Sequence, residues 1–327
     1  MNVTTSPPGP IPAGAGRVGS DSAPAVGAPA PNWQIWAGLW IVYLVWGSTY
    51  LAIRVVVETV PPFLSAGARF GFAGLAMLAF LAVRRGPSVL RLERAQLLSC
   101  LAVGTLLMGA NAVVSVAEVE VPSSMAALLI ASVPLWVILY RRGLGDRVAA
   151  RSVAAVLVGF AGVALLLLPG KQTGGASLAG LLAVVGAAAM WAGGSVASPR
   201  VRLPRDPFVS GAWQMVLGGG VCALTGALVG ELGDVNVAEF SFRSLAGLAY
   251  LVVFGSWLAF TAYAWLLQNA PISRVATYAY VNPVVAIALG WLILSEAVTT
   301  VTFAGAAVIV ASVAAVVRTE SRRSNPR

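Results

Sequence analysis

A chain of 327 residues that is 58% hydrophobic and 10% charged, with mean hydropathy +0.85, has too few polar side chains to cover a folded surface in water, where about 25% charge is usual. Most of its length must lie in lipid, as an all-α integral membrane protein. The net charge of +9 comes as short arginine clusters between apolar runs, a topology signal and not a nucleic-acid surface; with no histidine, and with Cys100 and Cys222 inside apolar runs, neither a metal site nor a disulfide framework is expected.

Residues 1–32 are rich in Pro, Gly, Ala and Ser, hold only Arg17 and Asp21, and are expected to form a disordered tail without a signal-peptide core. Ten apolar segments of roughly membrane-crossing length come next: 33–56, 62–83, 95–117, 122–141, 149–169, 177–199, 207–230, 243–267, 271–294 and 299–317. The first opens on Trp33 and Trp36, of the interface-anchor type, and carries Trp46-Gly47-Ser48-Thr49-Tyr50 at its middle, before Arg54 and Glu58. The small residues let helices pack closely; beside a cavity they also leave Trp46 and Tyr50, four apart and on one helix face, looking at a substrate. The second segment places Arg69 roughly 10 Å along its axis. Arg54, nearer the end, can snorkel to the surface; Arg69 marks either an ion pair, with Glu118 as partner, or a substrate site.

Asn111 lies within the third segment, Trp191 in the sixth, Gln214 in the seventh, Trp257 and Phe260 in the eighth, and Tyr280 and Asn282 in the ninth. Mid-depth aromatics and amides are expected to line a central cavity that suits amphipathic or cationic solutes. Asn282 precedes Pro283, so its amide either serves the carbonyl that the proline leaves free or binds substrate. With histidine absent, the candidates for a proton-coupling group are carboxylates: Glu118 foremost, with Glu58 on the rim of the same outer vestibule and Glu296 also near a helix end.

Arginine clusters follow the second segment (Arg84, Arg85, Arg91, Arg94), the fourth (Arg141, Arg142, Arg147, Arg151), the sixth (Arg200, Arg202, Arg205) and the tenth (Arg318, Arg322, Arg323, Arg327). Most acids lie in the other loops. Positive residues mark the cytoplasmic side, so both termini are expected there.

The chain also repeats itself. Pro62-Phe63-Leu64-Ser65 is matched by Pro207-Phe208-Val209-Ser210 at an offset of 145, and the Pro122/Pro134 pair by Pro271/Pro283 at 149. Gly47 is matched by Gly194 at 147. Each unit holds five segments, an odd number, so the second enters the membrane from the opposite side. Inverted repeats of this kind recur in secondary transporters.

The stretches WGSTYLAIR (46–54), PPFLSAGARF (61–70), VPSSMAALLIASVP (121–134) and YAYVNPVVAIALGWLILSE (278–296) resemble a bacterial member of the drug/metabolite transporter superfamily, in its EamA branch. The resemblance implies ten helices in two EamA repeats, here 33–170 and 175–317, and export or uptake of small organic solutes such as amino acids, metabolites or drugs, without ATP. Glu296 falls where the family often has an acid after the ninth helix, and Asp146 is its counterpart in the first repeat; both are expected as helix-start caps. No Walker A pattern is present and no cofactor is expected. Secondary transport across the cytoplasmic membrane, expected as export, is thus set against a passive channel, for which no charge rings are visible, and a membrane enzyme, which needs clustered acids or metal ligands. The expected partners are the bilayer and a small-molecule substrate; a homodimer is possible.

Overall fold

The computed structural model describes Met1 and residues 31–168, 173–270, 272–275 and 277–324. The expected N-terminal tail falls almost wholly outside these residues. Among them, eight helical stretches are long and apolar enough to cross a membrane, and two shorter apolar helices, Ala150–Leu166 and Tyr278–Leu294, accompany them.

In chain order these are α1 (Asn32–Val56), α2 (Pro62–Arg85), α3 (Arg94–Ala117), α4 (Ser123–Ile130), α5 (Val133–Gly143), α6 (Ala150–Leu166), α7 (Leu178–Ala197), α8 (Pro207–Leu228), α9 (Phe242–Tyr250), a π-helical stretch Leu251–Leu258, α10 (Ala259–Asn269), α11 (Ile272–Val275), α12 (Tyr278–Leu294) and α13 (Thr300–Ser324). Local chemistry sets the boundaries. Pro62 and Pro207 occupy first helical positions, where a missing N–H costs nothing. Asp206 accepts from the N–H groups of Phe208 (2.8 Å) and Val209 (3.2 Å), and Ser177 from Gly180 (3.0 Å). The fourth segment breaks into α4 and α5 just before Pro134, which has no N–H to donate back along the helix. α13 runs on to Ser324, so Arg318, expected in a tail, is helical.

α2 packs on α8, α3 on α7 and α8, α6 on α13, and α1 on α12, α10 and α9. Small residues permit the close crossings. A Cβ on Gly104 would sit 2.4 Å from the carbonyl oxygen of Gln214, and one on Gly218 would sit 2.4 Å from the carbonyl oxygen of Gly104, so α3 and α8 touch backbone to backbone. A Cβ on Gly47 would lie 2.6 Å from that of Val285 on α12. Large apolar side chains such as Phe72, Leu157, Leu224, Trp291 and Phe303 point outward, which suits a surface solvated by lipid.

The contacts sort the loops into two ends. At one, the Glu231 carboxylate accepts from Phe63 N–H (3.0 Å) and Leu64 N–H (2.9 Å), capping α2. Glu296 accepts from Ser123 N–H (2.7 Å), Ser123 Oγ (2.8 Å) and Ser124 N–H (2.9 Å), capping α4. Glu296 is therefore a cap as expected, but of a helix in the first half of the chain. These anions also meet the positive ends of helix dipoles. At the other end Arg85 pairs with Asp206, and Asp146 joins Arg141 (3.1 Å) to Arg200 (2.8 Å). Asp146 is thus not a helix-start cap; Ala149 precedes α6. Hydrogen bonds from Arg141 and then Arg200 hold the Asp146 carboxyl below the usual range. A depressed carboxylate contributes above its unfolded value and fails only as pH falls through the folded one, so this tie is expected to persist at neutral pH and to open in acid. The Arg200 guanidinium N–H resonances, followed from pH 7 downward, check it: they are expected to hold steady until the carboxyl takes its proton.

Candidate functional site

A cavity of about 450 Å³, within the range of small-molecule sites, lies inside the bundle. It runs from Ile53 and Val114, about a turn from the acidic end of α1 and α3, to Ser195 and Ser198 near the arginine end of α7. At the acidic end it is closed by a packed apolar cluster of Ile53, Val56, Val60, Val114 and Leu251. At the other end Ser195 is exposed.

The aromatic wall is built on α1. Trp46 and Tyr50 both line the cavity, as their spacing predicts. The Trp46 indole packs against Tyr263 (centroids 5.1 Å apart) and Tyr278 (5.3 Å) and donates Nε1–H to the Gly255 carbonyl (3.1 Å). That carbonyl belongs to the π-helical stretch, a local distortion often found at functional sites. Trp191 lines the cavity from α7, and Phe260 from α10.

The polar wall is sparse. Asn111 donates its side-chain N–H to the Leu107 carbonyl (3.1 Å). Gln214, the residue matched to Arg69 by the repeat, donates to Ser210 Oγ (2.9 Å). Asn282 is 9% exposed and its Oδ1 has no partner. It gives no hydrogen bond to the carbonyl freed by Pro283. Arg69, 5% exposed, donates Nε–H to Ser256 Oγ (3.0 Å) and lies over the Phe70 ring at 4.7 Å, while its Nη1 has no partner.

Several expectations need correction. Trp257 does not line this cavity: it packs with Phe80 (6.0 Å) and donates Nε1–H to Met77 Sδ (3.1 Å). Tyr280 packs on the cluster around Leu135 and Val313, and Tyr278 takes the cavity position instead. Arg69 and Glu118 form no ion pair. Glu118 is fully buried with both carboxylate oxygens unpartnered, an arrangement costly for a charged group. Tyr50 is within electrostatic reach of both. Arg54 does not snorkel; its guanidinium donates to the carbonyls of Glu118 and Val119 and so finishes α3. Glu58 sits at the surface, 3.9 Å from Arg243, away from the cavity lining. Tyr263 and Ser256 were missed, because ideal helical periodicity gives no hint of the π-helical stretch that aims them.

Comparison with known proteins agrees with this architecture. The EamA-like transporter family model matches residues 33–168 and 178–318. The uncharacterized inner membrane transporter YedA of Escherichia coli K12 is 36% identical over 258 residues, covering 78% of this chain and 81% of that protein. The uncharacterized transporter YoaV of Bacillus subtilis is 24% identical over 89% of this chain and 99% of its own length. A solved crystal structure superposes with a TM-score of 0.61 at 24% identity, over 88% of this chain and 99% of the other, a likeness of fold alone.

Proposed function

The chain belongs to the EamA-like transporter family, and on that premise we propose that it is a secondary transporter, acting as an exporter of small organic solutes by alternating access across the cytoplasmic membrane. The observation that carries this is the cavity: a largely apolar and aromatic chamber with a few polar groups, within an apolar-skinned bundle, sealed at the acidic end and bordered by an exposed residue at the other. Such a chamber serves transport if a second arrangement opens the seal and closes the opposite end.

Ten membrane-spanning helices in two inverted units, 33–170 and 175–317, fit the packing. Exchanging the units turns the α1–α12 contact into that of α7 with α4 and α5. It turns α3–α7 into the contact of α9 and α10 with α1. It leaves α2–α8 and α6–α13 paired with themselves. Each of these contacts exists, and a bundle with this symmetry has two related packings available. We place the arginine end in the cytoplasm. A thiol label at Leu90→Cys is expected to react only from the cytoplasmic side; reaction from outside intact cells would reverse the topology.

Glu118 is the proposed coupling group. A carboxyl that is buried and unpaired here holds a proton, and one that meets water or a cation in the other state releases it. Glu118→Gln is expected to keep exchange of solute between the two sides while losing stimulation by a pH gradient. Gradient stimulation that survives in this variant would move coupling elsewhere.

The function is tested with the purified chain in vesicles, using solutes selected by growth of deletion and overexpressing strains. Saturable, gradient-dependent flux supports the proposal. Flux that rises linearly with concentration would indicate a passive channel, and conversion of a membrane lipid would indicate an enzyme.

A further inference from the structure

We propose that the cavity selects solutes carrying one carboxylate, and that Arg69 is the residue that binds it. This rests on the cavity being the substrate chamber, and it names what the chamber recognises.

A guanidinium carries five N–H donors in a planar fork. Arg69 uses Nε on Ser256 Oγ at 3.0 Å, and its Nη1 is buried with no partner. The side chain is 5% exposed and forms part of the cavity wall. It is also the one charged residue among the described residues that line the cavity. A buried cation normally has a counter-ion, because desolvation is otherwise uncompensated. Here Glu118 makes no ion pair with Arg69, and its own carboxylate oxygens are buried without a partner. The Phe70 ring at 4.7 Å offers a weak cation–π contact, too little to replace a counter-ion.

The surroundings hold this cation in place and leave its Nη1 without a protein partner. Ser256 belongs to the π-helical stretch, whose Gly255 carbonyl also anchors Trp46. A Cβ on Gly255 would lie 3.3 Å from the other terminal nitrogen of Arg69, so the glycine leaves room for the guanidinium. The amides that share the cavity, Asn111, Gln214 and Asn282, are neutral. One cation suits one negative charge, and a planar fork suits a planar carboxylate, bound with charge-assisted hydrogen bonds. The apolar and aromatic remainder of the wall takes the rest of the solute. The unpartnered Asn282 Oδ1 offers an acceptor to a donor on that solute, such as an ammonium or amide N–H.

The test is calorimetric binding to the purified full chain in detergent, with two matched series: 3-phenylpropanoate, its primary amide and the corresponding amine; and leucine beside leucinamide. The carboxylates are expected to bind roughly tenfold or more tighter than the amides, the amount that a charge-assisted hydrogen bond contributes. Arg69→Gln is expected to bring the acid and amide within about twofold, and Arg69→Lys to keep part of the preference. The native chain alone decides the matter should the glutamine variant fail to fold. Amides or amines that bind it as well as the acids, or no binding by any acid of the series, would overturn the proposal, as would an undiminished preference in Arg69→Gln. Because binding is read without flux, acids that bind but are not carried would remove the transport function and leave the site standing.

Discussion

Gly104→Leu is expected to leave almost no assembled protein in the membrane. A single Cβ at this position already lies 2.4 Å from the Gln214 carbonyl oxygen, and the approach is mutual, since a Cβ at Gly218 meets the Gly104 carbonyl at the same distance. The obstacle is backbone on both sides, so no side chain can rotate away. Overpacking a core by a methylene costs about 1–3 kcal/mol, and total stability is only about 5–15 kcal/mol. A leucine side chain at a backbone contact exceeds what the bundle can absorb. α3 and α8 would separate, and with them the walls that carry Asn111 and Gln214. Gly220→Leu is the control, because a Cβ there meets nothing within 4 Å and the site is exposed. Fluorescence-detected size exclusion of tagged variants makes the comparison. Native amounts of monodisperse Gly104→Leu would contradict the α3–α8 packing.

Trp191→Ala is expected to lower transport at least tenfold while the amount of folded protein stays near native. The Trp191 ring lines the cavity and is only half-buried. Its removal therefore takes away solute contact more than structure. An aromatic pair contributes about 0.5–1.5 kcal/mol beyond the area it buries, and a cavity widened on one side also holds its solute in less defined poses. Trp257→Ala is expected to do the opposite, since this ring is packed against Phe80 and hydrogen-bonded to Met77: a lower melting temperature, with transport per folded molecule little changed. Trp46→Ala combines both losses, because its indole also holds the Gly255 carbonyl. Flux and melting temperature, measured on the same preparations, separate the three. Equal transport by Trp191→Ala and the native chain would return Trp191 to packing.

The bundle was legible where the sequence carries a local cause. Apolar runs set off by prolines and arginines placed most helix ends to within a few residues, but the break before Pro134 and the run of α13 to Ser324 were not read from them. The spacing of Trp46 and Tyr50 put them on one face, and both do line the cavity. Phase failed where a helix departs from 3.6 residues per turn. The π-helical stretch shifts the phase of this segment, so that Trp257 within it packs against Phe80 and Met77 while Tyr263 beyond it lines the cavity. Tyr280 and Tyr278 differ by two residues, about 200° on a helix, and Tyr280 is expected from the sequence where Tyr278 faces the cavity. Long-range partners left no trace in the chain at all. Nothing local says that Glu296 reaches α4, that Arg54 closes α3, or that Glu118 and Arg69 pass each other by.

Alternating access is tested most directly by thiol accessibility, in a background with Cys100 and Cys222 replaced by serine. Val56→Cys, buried in the apolar seal at the acidic end and outside the cavity lining, and Ser195→Cys, at the opposite mouth, are each exposed to a membrane-impermeant reagent from either side. Val56→Cys is expected to react from outside only, slowly, as the seal opens in a minor state, and Ser195→Cys from the cytoplasm only. Reaction of either site from both sides would indicate a continuous pore, and a Val56→Cys that never reacts would mean that the seal does not open.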